Sequence, residues 1–261
     1  MESTKNKAEQ RRDDIIQMLN RKDTVTVQEF CDALNCSVST IRNDLALMEK
    51  NGQLLRVFGG AVRTPSTPYH MPDITSRNTI YMEDKEKIAE YVAGQILFSG
   101  ATIILDAGTT CNKIAEAIVE KNVPMTVLTC SLSAINILAA SEQIDIYSFG
   151  GHFNKKRYSF FDEFLTGLSS TFHADMFFMG VDGVHPESGI SITANDEINS
   201  KKTFIEMSDI TYAVADHSKV GRISFRSVEC EKSRLKIITD GAVSDDKCAG
   251  FLENGYEILR A

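Results

Sequence analysis

Two periodicities of apolar residues divide the chain. In the first sixty-odd residues the apolar positions recur at steps of three and four. Val27, Phe30, Cys31 and Leu34 fall on one face of a short helix. Val38, Ile41, Leu45 and Met48 fall on one face of the next, across a tight break at Asn35-Cys36. Ahead of this pair, Ala8 to Leu19 reads as a helix with Ile15, Ile16 and Leu19 turned inward, and Thr24-Val-Thr-Val27 favours a short strand. Ser37 suits the N-cap of the second helix and Gly52 its end. Two short apolar runs around Gly59-Gly60, between Gln53 and Arg63, predict a hairpin. The order helix, helix-turn-helix, hairpin wing is far more specific than any of its pieces.

Beyond this the pattern changes. Thr64 to Thr79 carries Pro65, Pro68 and Pro72 with little periodicity and reads as a linker. Helix and strand signals then alternate. Helices are predicted at Lys85–Leu97, Asn112–Glu120 and Leu132–Ala140. Strands are predicted at Thr102–Asp106, Met125–Thr129, Ile144–Phe149, Met176–Gly180, Thr211–Ala215 and Lys236–Thr239. Such alternation means an α/β domain with a largely parallel sheet. The expected organisation is a winged helix-turn-helix domain over 8–63, a linker over 64–79 and an α/β domain over 80–261.

Charge sharpens the division. Net charge is −8, which is unusual for a chain that meets DNA. Residues 1–64 hold 10 Lys and Arg against 9 Asp and Glu, and the remainder holds 18 against 27. The acid belongs to the second part, so the two parts face different partners. No run is apolar and long enough to span a bilayer, and the N-terminus lacks the apolar core of a signal peptide. The expectation is a cytoplasmic protein with no membrane partner. The six cysteines form no Cys-x-x-Cys pair and read as small buried thiols. The five histidines lack ligand spacing, so no metal and no cofactor are expected; His217 alone lies in a loop of interest.

The polar face of the second helix carries Ser39, Thr40, Arg42 and Asn43, with Ser37 at its start. These side chains reach phosphates and base edges. Arg56 and Arg63 flank the hairpin and can hold phosphates or probe the minor groove. Asp44 reads as structural, because phosphates repel a carboxylate that no arginine neutralises. In the α/β part the strand ends are the informative places, since open sheets of this kind bind ligands there. The run Asp106-Ala-Gly108-Thr109-Thr110 joins a strand to a helix, and backbone N–H groups at a helix start suit an anion. The ordinary reading of that run is a capped turn with Thr110 as N-cap. Ser131, Gly150-Gly151, Asp182-Gly183 and Asp216-x-x-Lys219 end other strands. Glu197 and Lys201 are four apart on one helical face, which on a surface would be a simple ion pair.

The run Ser39-Thr40-Ile41-Arg42-Asn43-Asp44-Leu45, followed by Glu49, Gly52, Leu54, Arg56 and Gly59-Gly60-Ala61, resembles the N-terminal signature of the DeoR-type bacterial transcription regulators. The sensor domain of those regulators is resembled by Lys85-x-x-Ile88-Ala89, Asp106-Ala-Gly108-Thr109-Thr110, Gly150-Gly151, Asp182-Gly183, Glu197-x-x-x-Lys201 and Asp216-x-x-Lys219-x-Gly221. The resemblance runs from about Arg11 to the C-terminus. It implies a sensor similar in fold to ribose-5-phosphate isomerase, glucosamine-6-phosphate deaminase and CoA transferases. It also implies a phosphorylated sugar or related effector that alters operator affinity. Gly108, Thr109 and Thr110 would cradle phosphate, and Asp106, Asp182, Glu197, Lys201 and Lys219 would line the rest. Three positions depart from the family pattern. Asn43 replaces a second basic residue, Cys130 stands where Asn is common, and Asp162 where Gly is usual.

The expected function is a sequence-specific regulator of transcription, a repressor of a carbohydrate operon. It would act on double-stranded operator DNA as a homodimer or homotetramer and without enzymatic activity. The expected effector contacts are Asp106, Gly108, Thr109, Thr110, Ser131, Gly150, Gly151, Asp182, Gly183, Glu197, Lys201, Asp216 and Lys219. Two readings compete with it. One is a sugar-phosphate isomerase or deaminase with a DNA-binding appendage, in which Glu197 and Lys219 move protons. In the other, the second domain only oligomerises.

Overall fold

The computed structural model describes residues 7–22, 24–50, 54–57, 59–62, 80–161, 167, 170–194 and 197–261. The chain divides into two compact units, Met1–Met71 and Pro72–Ala261. Arg63, the helix end at Gly52, the 64–79 segment and Asp162 lie outside the described residues.

The first unit runs α1 (Lys7–Arg21), β1 (Thr24–Thr26), α2 (Val27–Leu34), α3 (Val38–Lys50), β2 (Leu55–Val57) and β3 (Gly60–Val62). Thr26 and Glu29 form a reciprocal capping box: the Glu29 N–H donates to the Thr26 hydroxyl at 3.2 Å, and the Thr26 N–H donates to the Glu29 carboxylate at 2.8 Å. Asn35 then adopts a left-handed conformation (φ 48°), which Asn tolerates better than most residues, and the chain turns sharply into α3. The three strands form one antiparallel sheet in the order β1-β3-β2. Ile15, Leu19, Val25, Phe30, Ile41, Leu45, Met48, Leu54 and Ala61 make the core, with Ile16, Val27, Cys31 and Leu34 packed at its margin. Val38 departs from expectation. It shares the face but stands in the first turn of α3, beyond the edge of this small core, and is 39% exposed.

The second unit is built on a seven-stranded parallel sheet. Its strands are β4 (Thr102–Leu105), β5 (Met125–Thr129), β6 (Ile144–Ser148), β9 (Ala174–Gly180), β12 (Ser208–Val214), β14 (Leu235–Thr239) and β15 (Glu257–Arg260). Successive residues face opposite ways, as the period of two requires. Ile103, Leu105, Met176, Phe178, Tyr212 and Val214 pack on one face with α4 (Met82–Tyr91), α5 (Thr109–Lys121) and α6 (Leu132–Leu138). Ile104, Phe177, Met179, Ala213 and Ile237 pack on the other with α7 (Ile198–Glu206) and α8 (Asp245–Glu253). A small antiparallel sheet of β10 (Gly183–His185), β11 (Gly189–Ile192) and β13 (Arg226–Val228) joins that second face, and β7 (His152–Asn154) pairs with β8 (Ser159–Phe161). The helix expected at Lys85–Leu97 begins three residues earlier and widens into π turns over Val92–Ile96, where Gly94 weakens the regular helix.

Sheet order is the feature that places a site. Reading β15-β14-β12-β9-β4-β5-β6, the chain winds outward from β4 through β5 to β6. It returns to β9 beside β4 and winds the other way. The crevice beyond the carboxyl ends of β4 and β9 is therefore the topological switch point, the place where such sheets hold ligands.

Candidate functional site

In the first unit, α3 presents the expected surface. Arg42 and Asn43 are exposed, while Ile41 and Leu45 on the opposite side are buried. The Ser37 hydroxyl accepts the Thr40 N–H at 3.2 Å and lies 2.9 Å from the Ser39 hydroxyl and 2.8 Å from that of Thr40. Ser37 therefore caps the helix, and its neighbours' hydroxyls are drawn into that cap. Arg56 is exposed on β2, 3.8 Å from Glu49, whose carboxylate also accepts the Arg56 N–H at 3.1 Å. Asp44 is buried and meets Arg11 at 2.5 Å and Arg12 at 3.6 Å. Its partners thus come from α1, and the carboxylate tethers α3 to α1. Arg11 was not among the sequence candidates, because nothing local marks a contact across 33 residues.

In the second unit, Asp106 follows β4 and bridges the switch point. One of its oxygens accepts the Gly180 N–H at the end of β9 at 3.0 Å, and the other accepts the Ala107 N–H at 2.8 Å. Lys201, reaching up from α7, donates to Asp106 and to the Gly180 carbonyl, the latter at 2.8 Å. With 2% exposure its ammonium is a buried charge held by these two acceptors and by the carboxylate of Glu197 3.8 Å away. Asp106 and Glu197 outweigh the burial and raise the Lys201 pKa. The Glu197–Lys201 pair is therefore an interior ion pair and not a surface one.

Above this foundation lies a cleft lined by Gly108, Thr109, Thr110, Arg157, Asp182, Glu197 and Lys219, with Ala107, Cys111, Gly180 and Val181. Gly108 precedes α5 with φ 154°, a conformation open to glycine and rare for other residues, and no side chain caps the helix. The ordinary alternative, a turn capped by Thr110, does not hold: Gly108 occupies the cap position. The first-turn N–H groups have no intrahelical acceptor, and the buried Thr110 hydroxyl has no hydrogen-bond partner among the described residues. Arg157, from the turn between β7 and β8, comes within 2.6 Å of Glu197. Burial pushes Glu197 up, Lys201 and Arg157 pull it down, Asp106 and Asp182 push it up again, and the result is about 7. Lys219 lies 3.9 Å from Asp216. Burial raises Asp216, but Lys219 and Ser218 outweigh it and hold the carboxyl below its usual value. Asp182 accepts the Thr193 N–H at 2.8 Å.

Seven expected effector contacts do not line this cleft: Asp106 and Lys201 form its foundation, Asp216 pairs with Lys219 beside it, and Ser131, Gly150, Gly151 and Gly183 are placed elsewhere. Ser131 is buried as the cap of α6, its hydroxyl accepting the Ala134 N–H at 3.1 Å. Gly150 and Gly151 are exposed between β6, at the edge of the large sheet, and β7. Gly183 packs its backbone against Arg222 and Ser191. Arg157 is the residue the sequence reading missed, because it lies on a hairpin with no strand-end signal. Cys130 is buried below, and burial pushes its thiol up. Among the described residues, Asp84, His217 and Asp240 bring one ligand-type atom each within 4.8 Å of one another and could hold a cation. Their contacts with one another are also those of a hydrogen-bonded His–Asp pair. Cys111, Cys130 and Cys248 are buried, whereas Cys31, Cys36 and Cys230 are half-buried; all six are free thiols. None of the described helices is long and apolar enough to cross a membrane.

Residues 11–67 match the family profile described as a DeoR-like helix-turn-helix domain, and residues 81–241 match the DeoR C-terminal sensor domain. The chain is 30% identical to the transcriptional repressor GlcR of Bacillus subtilis, over 94% of this chain and 93% of that protein. It is 30% identical to the glycerol-3-phosphate regulon repressor of Escherichia coli, over 83% of this chain and 84% of that protein. The lactose phosphotransferase system repressor of Staphylococcus epidermidis is also 30% identical, over 88% of this chain and 91% of that protein. Among solved structures, ribose 5-phosphate isomerase A of Methanocaldococcus jannaschii is similar at 17% identity and a TM-score of 0.40, over 55% of this chain and 56% of that one. With a DNA-reading unit ahead of a parallel-sheet sensor, and both halves matched, the chain belongs to the DeoR family of transcription regulators.

Proposed function

We propose that this regulator is a repressor of a carbohydrate operon and that a phosphorylated sugar or related anion, bound in the cleft, lowers its affinity for operator DNA. The observation that carries the reading is the convergence at the switch point: the uncapped start of α5, the unpartnered Thr110 hydroxyl and the cations Lys219 and Arg157. A phosphate takes helix-start N–H groups and a lysine. Arg157 would serve it or a sugar hydroxyl, and the acids Asp182 and Glu197 would accept further hydroxyls. The names of two relatives, repressors of a glycerol-3-phosphate regulon and of a lactose phosphotransferase system, point to the same class of effector. Two copies of α3 would read repeated half-sites, which makes a homodimer or a dimer of dimers the working assembly.

Lys219→Ala and Thr109→Val test the cleft. Both should weaken calorimetric binding of the activating sugar phosphate by about tenfold or more, roughly the worth of one charge-assisted hydrogen bond. Operator affinity without ligand should stay as in the parent. Parental ligand affinity in both variants would remove the cleft from the reading.

Glu197, raised to about 7, is the observation that favours a second reading, proton transfer on a bound sugar phosphate. Incubation of purified protein with ribose 5-phosphate or an amino-sugar phosphate decides it. Turnover that disappears in Glu197→Gln would establish it, and unchanged substrate would exclude it for those compounds.

A further inference from the structure

One cation of the cleft, Lys219, sits on the three-residue 3-10 turn His217–Lys219. The same turn sends His217 elsewhere, to the start of α4. Its imidazole meets the Tyr81 ring edge-on, with centroids 4.7 Å apart. Its Nδ1 lies 3.6 Å from Asp84 and 3.2 Å from each oxygen of Asp240. Asp240 is fully buried after β14 and also accepts the His217 N–H at 2.6 Å and the Ala242 N–H at 2.9 Å. Asp240 is thus the fixed anchor, and Tyr81 and Asp84 are the reach toward α4. A further link runs the same way: the charge of Lys85, also on α4, helps hold Asp216 ionised at the head of the turn.

The start of α4 is under strain. Tyr81 precedes it with φ 52° and ψ 41°, a left-handed conformation, and no side chain caps the helix. Bulky residues adopt that region only when their surroundings hold them there. Here the ring contact with His217 is part of that hold. In the chain, Tyr81 and Ile80 follow directly from the segment that leads back to the DNA-binding unit.

We propose that Tyr81, Asp84 and His217 form the joint that carries effector occupancy from the cleft to the start of α4. The proposal rests on the cleft being the effector site. An anion bound by Lys219 draws the ammonium from Asp216. His217 and Lys219 share one short turn, so the imidazole shifts with the ammonium, and the contacts that hold Tyr81 change. None of the three lines the cleft; they are positioning residues for the response and not for binding. A ligand moves such an equilibrium only through contacts that differ between the two states, and this turn is where they differ.

Hydrogen exchange of the full chain tests this, with inorganic phosphate and ribose 5-phosphate as probes and calorimetry alongside. In the parent protein, probe binding should slow exchange at 108–112 and change it at 80–85. In Tyr81→Gly, which accepts the left-handed conformation without strain, and in Asp84→Asn, probe affinity should stay within about threefold of the parent, since neither residue meets the ligand. The response at 108–112 should persist in both variants, and the response at 80–85 should be lost. If the parent binds a probe and protects 108–112 while 80–85 does not respond, the joint is overturned and the cleft stands. If neither probe binds the parent, the cleft reading falls and the joint with it. A response at 80–85 that survives in both variants also overturns the joint. Should Tyr81→Gly fail to fold by thermal melt, the parent and Asp84→Asn still decide.

Discussion

Arg42 and Asn43 stand exposed on α3, so their side chains are available to base edges, whereas Ser37 is already occupied in the cap. Arg42→Ala should cost about 1–3 kcal/mol of specific operator binding, the usual worth of a base-reading arginine. Its effector affinity should be unchanged. An anisotropy titration giving parental operator affinity would remove Arg42 from the reading surface. In the cleft, Glu197 makes a pH prediction. Its carboxyl is raised to about 7 in the folded chain from an ordinary 4.5. Between those values the native state holds the extra proton, so this group's contribution to stability is full below 4.5 and is lost as pH rises through about 7. A bound phosphate adds negative charge nearby and raises Glu197 further, so binding takes up a proton and tightens as pH falls through that range. Calorimetry in buffers of different ionisation heat should show the uptake, and Glu197→Gln should reduce it to the part that belongs to the phosphate itself. An uptake identical in that variant would assign the proton elsewhere.

The elements were legible where a short-range rule sets them. The helix pair across the Asn35-Cys36 break and the alternating strands follow from neighbours in sequence; the capping box at Thr26 and Glu29 obeys the same kind of rule, although it was not read beforehand. The cleft was legible only in part, for a topological reason. Ser131, Gly150-Gly151 and Gly108-Thr109-Thr110 have similar turn chemistry, so the sequence offers them equally. Only the last follows β4, and only β4 adjoins β9 at the switch point. The partners that close the site lie far away in the chain: Asp106 to Lys201 spans 95 residues, and Asp106 to Gly180 spans 74. No periodicity reports such contacts, and Arg157 was missed for that reason. At this scale the wing gives the test. A Cβ on Gly60 would sit 2.3 Å from the Val25 carbonyl oxygen, where β3 crosses β1. Gly60→Ala should destabilise the first unit by about 1–3 kcal/mol in a urea melt, as forced overpacking does. Gly59→Asn, at a turn with φ 81° and nothing within 4 Å of the new Cβ, should cost less. Equal losses would mean that turn conformation and not close approach limits the wing.

Across the whole molecule, two units with different charge and different chemistry are joined in one chain. The first is nearly neutral, which suits reading a particular sequence more than coating DNA through phosphates. The second is acidic, and at its switch point the buried Lys201 and the half-buried Arg157 and Lys219 are set among the buried acids Asp106, Asp182, Glu197 and Asp216. In the proposed function, occupancy of the second alters the grip of the first. Fluorescence anisotropy of the full chain on DNA from upstream of its own operon, with and without a sugar phosphate shown by calorimetry to bind, tests this most directly. Operator affinity should fall by about fivefold or more when the ligand is present, within the usual range of coupling between sites. Identical affinity with and without ligand, under conditions where the ligand is bound, would mean that the two units act independently.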